Sequence, residues 1–195
     1  MAVQKLLPSD LDGVAPGSHK RILVLTSSFR AGSSTERFGV LIAEELRQAG
    51  LDVDLVNVGD LHLPWCTGDP AQVDEPDVVA WRARVESAIG YVWVSAEWHG
   101  SVAGSFKNAL DLLTVADMRW KVVALAAQAG GAMGAINALG HMRTVAQNLG
   151  AWALPVQLSV NASELKNQFK GDIVDRVQRL TTELDEAVSK FDRVM

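Results

Sequence analysis

Between an apolar run, Arg21–Thr26, and a helical pattern opening at Thr35, the chain reads Thr26-Ser27-Ser28-Phe29-Arg30-Ala31-Gly32-Ser33-Ser34-Thr35. Six of these ten residues carry hydroxyls, with Arg30 and Gly32 among them. A strand-to-helix turn offers an anion free backbone N–H groups and the positive end of the helix dipole. Hydroxyls add donors, and a guanidinium grips phosphate oxygens as a fork. The Gly-Lys-Ser/Thr ending of a triphosphate loop is missing, as is the Gly-x-Gly-x-x-Gly of a dinucleotide loop. The composition suits a terminal monophosphate held by Ser28, Arg30, Ser33, Ser34 and Thr35. Ser33-x-x-Glu36 also reads as a capping box. Capping accounts for those two residues but not for Arg30 or the other hydroxyls.

A second chemical stretch, Ser95 to Asp111, follows the apolar run Ile89–Ser95. Trp98 offers a flat face, and the backbone from Ala96 through Glu97, Trp98 and His99 to Gly100 offers polar groups to the edge of a ring. A third stretch, Gln128-Ala129-Gly130-Gly131-Ala132-Met133-Gly134, follows the apolar run Lys121–Ala127. Gly130 and Gly131 let backbone come close to a flat ligand, and Gln128 is expected beside the same ligand. Ala129-x-Gly131-x-x-Gly134 imitates a dinucleotide fingerprint, but no Asp or Glu lies between Asn148 and Leu158 to hold a ribose.

Elements must place these three stretches together. Strands are expected at Arg21–Thr26, Leu51–Val58, Ile89–Ser95, Lys121–Ala127 and, broken by Pro155, Trp152–Leu158. Helices are expected at Thr35–Gln48, Pro76–Ala88, Gly104–Leu113, Met133–Leu149 and Asp172–Phe191, each from apolar residues at helical spacing. Regular alternation of strand and helix predicts an α/β fold: a doubly wound, flavodoxin-like, five-stranded parallel sheet with helices on both faces. In such sheets ligands sit outside the carboxyl ends of the strands, where all three stretches fall.

Composition narrows the classes. The chain has 195 residues and a net charge of −5, with 18 Lys and Arg against 23 Asp and Glu. That balance argues against binding nucleic acid by bulk charge. One cysteine, Cys66, excludes an intramolecular disulfide framework and fits a reducing compartment. Residues 1–19 read as an extended N-terminal tail with no unbroken apolar core of a signal peptide, and residues 20–195 as a single domain. Val122–Met142 lacks charge but is mostly Ala and Gly, interrupted by Gly130 and Gly131. It therefore reads as strand, loop and helix rather than a membrane span. A cytoplasmic protein is expected. The four histidines are scattered, and no Gly-x-Ser-x-Gly elbow occurs, so neither a metal site nor a serine hydrolase is supported.

Taken together, the first two stretches resemble the NAD(P)H-dependent FMN reductase family, which includes quinone, azo and chromate reductases and arsenic-operon flavoreductases. The family's first loop has the form Gly-Ser-x-Arg-x-x-Ser-x-Asn/Thr; Ser28, Arg30, Ser33 and Thr35 match it, and Ser27 replaces the Gly. The other family loop has the form Pro-Glu-Tyr-Asn-Gly-Ser-x-Pro-Gly-x-Leu-Lys-Asn-x-x-Asp. Glu97, Gly100, Ser101, Gly104, Lys107, Asn108 and Asp111 match. Trp98-His99 replaces Tyr-Asn, and Ala96 and Ala103 replace the prolines. The Arg of a family Gly-Gly-x-Arg is absent from Gly134-Ala135-Ile136-Asn137. The resemblance covers residues 20 to 160.

It implies bound FMN, NADPH or NADH as co-substrate, and small-molecule acceptors. It also implies a homodimer or homotetramer whose partner subunit borders the flavin. Hydride chemistry on a flavin requires no catalytic acid or base from the chain, so the residues that matter are expected to be binding residues. Two alternatives stay open at this point: a flavodoxin-type electron carrier, and a binding protein whose flavin site has decayed.

Overall fold

The computed structural model describes residues 21–161, 163–164 and 170–191; the expected N-terminal tail, residues 1–19, lies outside the described residues. Five parallel strands run β1 (Arg21–Thr26), β2 (Asp52–Asn57), β3 (Gly90–Trp98), β5 (Val122–Gln128) and β6 (Trp152–Val160), in the order β2-β1-β3-β5-β6. A short β4 (Ser101–Val102) turns back antiparallel on the end of β3. The helices are α1 (Ser34–Gln48), α2 (Pro76–Glu86), α3 (Gly104–Asp111), α4 (Val115–Met118), α5 (Ile136–Asn148) and α6 (Asp172–Phe191). The flavodoxin-like sheet expected from the alternating pattern is therefore the observed one.

Side chains on a strand alternate between faces, and here each face has its own core. Leu23, Leu25, Tyr91, Trp93, Val123 and Leu125 point to the side covered by α2, α3 and α5 through Val78, Trp81, Phe106, Leu139 and Met142. Ile22, Val24, Val92, Val94, Ala124 and Ala126 point to the side covered by α1 and α6, through Phe38, Ile42 and Leu46 and through the stripe Ile173, Val177, Leu180, Leu184 and Val188. Burying each large apolar side chain stabilises by about 1.5–3 kcal/mol. Polar atoms trapped in this core are matched: the Trp81 indole N–H donates to the Ala109 carbonyl at 2.8 Å.

Two departures from the expected boundaries have local causes. Pro155 cannot donate to a ladder, and β6 accommodates it as the outer strand with a register shift opposite β5 between Val123 and Leu125. The helix expected from Met133 starts instead at Ile136, because Gly134 adopts φ +73° and a Cβ there would lie 2.4 Å from the Ser159 hydroxyl. Residues 133–135 thus belong to the loop.

Candidate functional site

The chain order places β1 beside β3 at the point where the sheet changes winding direction, and the carboxyl ends of these two strands open a cavity of about 290 Å³. It is lined by Ser27, Ser28, Phe29, Arg30, Ser33, Ser34 and Thr35 from the first loop, by Ala96 and Trp98 from the end of β3, by Ala103 and Ser105 at the start of α3, and by Gln128 at the end of β5. Of the residues expected to bind, Ser28, Arg30, Ser33, Ser34, Thr35, Ala96, Trp98 and Gln128 come together here. Glu97, His99, Gly100, Gly130 and Gly131 do not line it. Ser27, Phe29, Ala103 and Ser105 line it from outside the expected set. Ser105 was legible as a hydroxyl in the first turn of a helix that follows a strand.

The first loop is wired from behind. The Ser28 and Ser33 hydroxyls lie 2.6 Å apart, and Ser28 also donates to the Arg30 carbonyl at 3.0 Å. Ser33 caps α1, its hydroxyl accepting the Glu36 N–H at 3.1 Å. The expected capping box is only half present. Glu36 turns its carboxylate to the Gly32 N–H and to the Asn57 side-chain amide at the end of β2. Asn57 in turn accepts from the Thr26 hydroxyl at 2.7 Å. Gly59 packs against the same loop, donating to the Ser28 carbonyl at 2.9 Å, and a Cβ there would sit 2.8 Å from the Phe29 Cα. Glu36 is therefore a strut of the loop.

What this wiring leaves available is directional. The first N–H groups of a helix have no intrahelical acceptor. Glu36 N–H is taken by its cap; the Ser34 and Thr35 N–H groups have no hydrogen-bond partner among the described residues. The Arg30 side chain is exposed and also makes no hydrogen bond or ion pair among the described residues. Thr35 accepts from the Gln128 amide at 2.8 Å, so its hydroxyl proton remains to be donated. Donors, one cation and two helix N-termini converge with no counter-anion among the lining residues, which is the donor set a phosphate monoester requires.

The neighbouring loop docks as expected: the Ser27 hydroxyl accepts the Ala96 N–H at 3.0 Å. The structure corrects its shape. β3 continues to Trp98 and pairs Trp98 with Ser101, so the stretch read as loop is a hairpin with His99 and Gly100 as its two turn residues. Both have positive φ, 51° and 79°. Such a turn favours Asn-Gly, and His is among the residues that tolerate the left-handed region. His99 in place of Asn keeps the turn. Trp98 stands 63% exposed at the cavity mouth.

The rest of the second motif performs structural tasks. The Glu97 carboxylate accepts the Ala138 N–H at 2.9 Å and the Asn137 amide at 3.4 Å, replacing the side-chain cap that Ala135 cannot give α5. Asn108 holds the segment after β2, accepting the Cys66 N–H at 2.8 Å and donating to the Pro64 carbonyl at 2.9 Å. Lys107 pairs with Asp111 one turn on.

The ionisable groups moved from their ordinary pKa do not line the cavity. Burial pushes the Tyr91 phenol up, and it pulls the Lys121 ammonium down. Burial pushes the Asp117 carboxyl up, but Arg82 and the Thr114 donors outweigh it and hold Asp117 below the usual carboxylate range. Hydrogen bonding to Asp54 raises Arg84 against the opposing effect of burial. These serve packing and ion pairs.

Comparison with known proteins agrees with this geometry. The sequence profile described as NADPH-dependent FMN reductase matches residues 20–164. The chain belongs to that family. It is 31% identical over 165 residues to the NADPH azoreductase of Bacillus sp. (strain OY1-2), covering 82% of this chain and 90% of that one. It is 32% identical over 145 residues to the NADPH-dependent FMN reductase ArsH of Acidithiobacillus ferrooxidans, covering 72% of this chain and 59% of that protein. An archaeal flavodoxin superposes with a TM-score of 0.63 at 15% identity, over 87% of this chain and 99% of the flavodoxin, which shares the fold. With the family comes the enzyme class: this FMN reductase family member is an oxidoreductase. Among the described residues no helix is long and apolar enough to cross a membrane.

Proposed function

We propose that the chain is a cytoplasmic FMN-dependent oxidoreductase that uses NADPH or NADH on a small acceptor of the quinone, azo, metal-ion or flavin type. Residues 20–195 act as one FMN-binding unit. The observation that carries this reading is the cavity itself. Six hydroxyl side chains, one guanidinium unengaged among the described residues and two helix N-termini face a space bordered by an exposed indole.

Bound FMN would supply the electron chemistry, accepting hydride from a reduced nicotinamide and delivering electrons onward. The chain's own part is grip and placement. Ser34 and Thr35 with Arg30 hold the phosphate, the Ser28 and Ser33 hydroxyls shape the loop by bonding to the Arg30 carbonyl and to each other, and Trp98 covers the ring. Ala96 and the backbone through Glu97, His99 and Gly100 border its polar edge; the Glu97 carboxylate is engaged by α5 and acts by fixing that helix. Gly130 and Gly131 have room for a Cβ and ordinary φ, so the chain alone does not require glycine at either position. A flat ring approaching the backbone supplies the reason for them. The loss of the family's Arg near Asn137 leaves the mouth less positive.

We also infer a homodimer or homotetramer whose partner covers Trp98, Met133 and Ile136, which are 63%, 86% and 61% exposed. A monomer by light scattering would remove that part. The binding reading is tested by titrating the purified protein with FMN and with riboflavin. Tight FMN binding with much weaker riboflavin binding supports a phosphate grip; equal affinities remove it.

A further inference from the structure

We infer that His141, which does not line the cavity, is a positioning residue for the cofactor-edge hairpin; this rests on the FMN reading above. The parallel pairing of β3 with its neighbour ends at Ala96 and Gln128. Glu97 and Trp98 lie beyond it, in a hairpin with two cross-strand pairs of its own, Glu97 with Val102 and Trp98 with Ser101. A two-stranded hairpin of that size is not stable alone in water. It must be held by something else, and the sheet no longer reaches it.

Helix α5 supplies the support. Asn137 and His141 are one turn apart on the same side of the helix. Asn137 and the Ala138 N–H meet Glu97 on one strand of the hairpin. His141 Nδ1 shares a 2.9 Å hydrogen bond with the Ser101 hydroxyl on the other. The turn between them packs on the same helix, a Cβ at Gly100 falling 3.8 Å from the Asn137 amide nitrogen. Each strand of the hairpin therefore has its own tie to α5. Trp98, the direct cross-strand partner of Ser101, lines the cavity. His141 acts on the cavity through Ser101, setting where Trp98 stands. The bond does not depend on one protonation state, because a serine hydroxyl donates to a bare Nδ1 and accepts from a protonated one.

The test compares His141→Leu, His141→Asn and Ser101→Ala. Asparagine keeps a polar atom where Nδ1 stands; leucine keeps bulk without it. Two readouts are taken, amide hydrogen exchange across residues 97–102 in the FMN-free protein and the FMN dissociation constant. His141→Leu and Ser101→Ala are expected to speed exchange in 97–102 by roughly threefold to tenfold, the range of one neutral hydrogen bond, while β1 and β5 amides stay unchanged. The same two variants should raise the FMN dissociation constant by about threefold, with His141→Asn restoring both. Unchanged exchange in 97–102 overturns the tie, as does exchange that rises equally in β1 and β5. Faster hairpin exchange with an unchanged dissociation constant overturns the positioning role. A wild-type protein that takes no FMN overturns the function proposed above and with it the role toward the cofactor, while the exchange pattern still decides the tie to α5.

Discussion

The loop after β1 and the loop after β5 leave the same edge of one sheet, yet they are built in opposite ways. The first is braced by the chain's own hydrogen bonds. Ser28, Ser33, Glu36, Asn57 and Thr26 form a hydrogen-bonded frame behind it, and Gly59 lets β2's exit pack against it. Among the described residues the second is tied at its ends, where Ala129 N–H meets the Val160 carbonyl at 3.0 Å and Ala135 N–H meets the Ser159 hydroxyl at 2.8 Å. Between those ties Gly130, Gly131, Ala132 and Met133 are exposed. A compact dianion is gripped best by donors already in place, because preorganisation lowers the ordering cost of binding. A broad flat ring needs little from the backbone beyond room.

That contrast is open to attack by mutation. Arg30→Ala should weaken FMN binding by about 1.5–3 kcal/mol, the scale of a charge-assisted contact, and leave riboflavin affinity alone. Calorimetric titration with both ligands checks it, and equal losses for the two would move Arg30 away from the phosphate. Gly59→Ala should destabilise the ligand-free protein by about 1–3 kcal/mol, since the new methyl meets Phe29 backbone rather than a movable side chain. Urea unfolding measures this; no loss would mean that the frame behind the first loop is soft.

Gly131→Ala sharpens the contrast from the other side. The ligand-free protein should be unchanged or gain about 0.4–1 kcal/mol, because alanine narrows the unfolded ensemble where the native backbone accepts it. FMN binding should weaken all the same. A variant that loses stability but binds normally would reverse the assignment of this loop. The smallest expected change is in Glu97→Gln, which keeps an acceptor for the Ala138 N–H and should cost α5 a few tenths of a kcal/mol of dipole compensation. Thermal unfolding at low and high salt would show that difference shrinking as salt rises.

The unequal construction also explains what the sequence revealed. Strands and helices were readable because each buries a periodic apolar face: β1 and α6 follow their expected spans to the residue. The first loop was readable because phosphate chemistry demands hydroxyls and a cation, which advertise themselves by type. Glu36 departs from its expected capping role because its partner, Asn57, lies 21 residues away and meets it only when β2 pairs with β1. The β3–β4 hairpin was not legible because two cross-strand pairs leave no alternating pattern to detect, and His-Gly is a weaker turn signal than Asn-Gly. Lys107, Asn108 and Asp111 matched a binding family's motif, yet they pin a neighbouring segment and one another. A motif records which residues occur together, whereas the contacts decide which of them face the cavity.

The cavity is proposed to hold FMN for nicotinamide oxidation. The most direct test is the visible absorption spectrum of the protein reconstituted with FMN, recorded anaerobically before and after NADPH is added. The expected result is a bound-flavin spectrum that bleaches on addition and returns when an acceptor such as a quinone is supplied. A bound flavin that NADPH leaves oxidised would contradict it in favour of an electron carrier, and a protein that retains no FMN would contradict it outright.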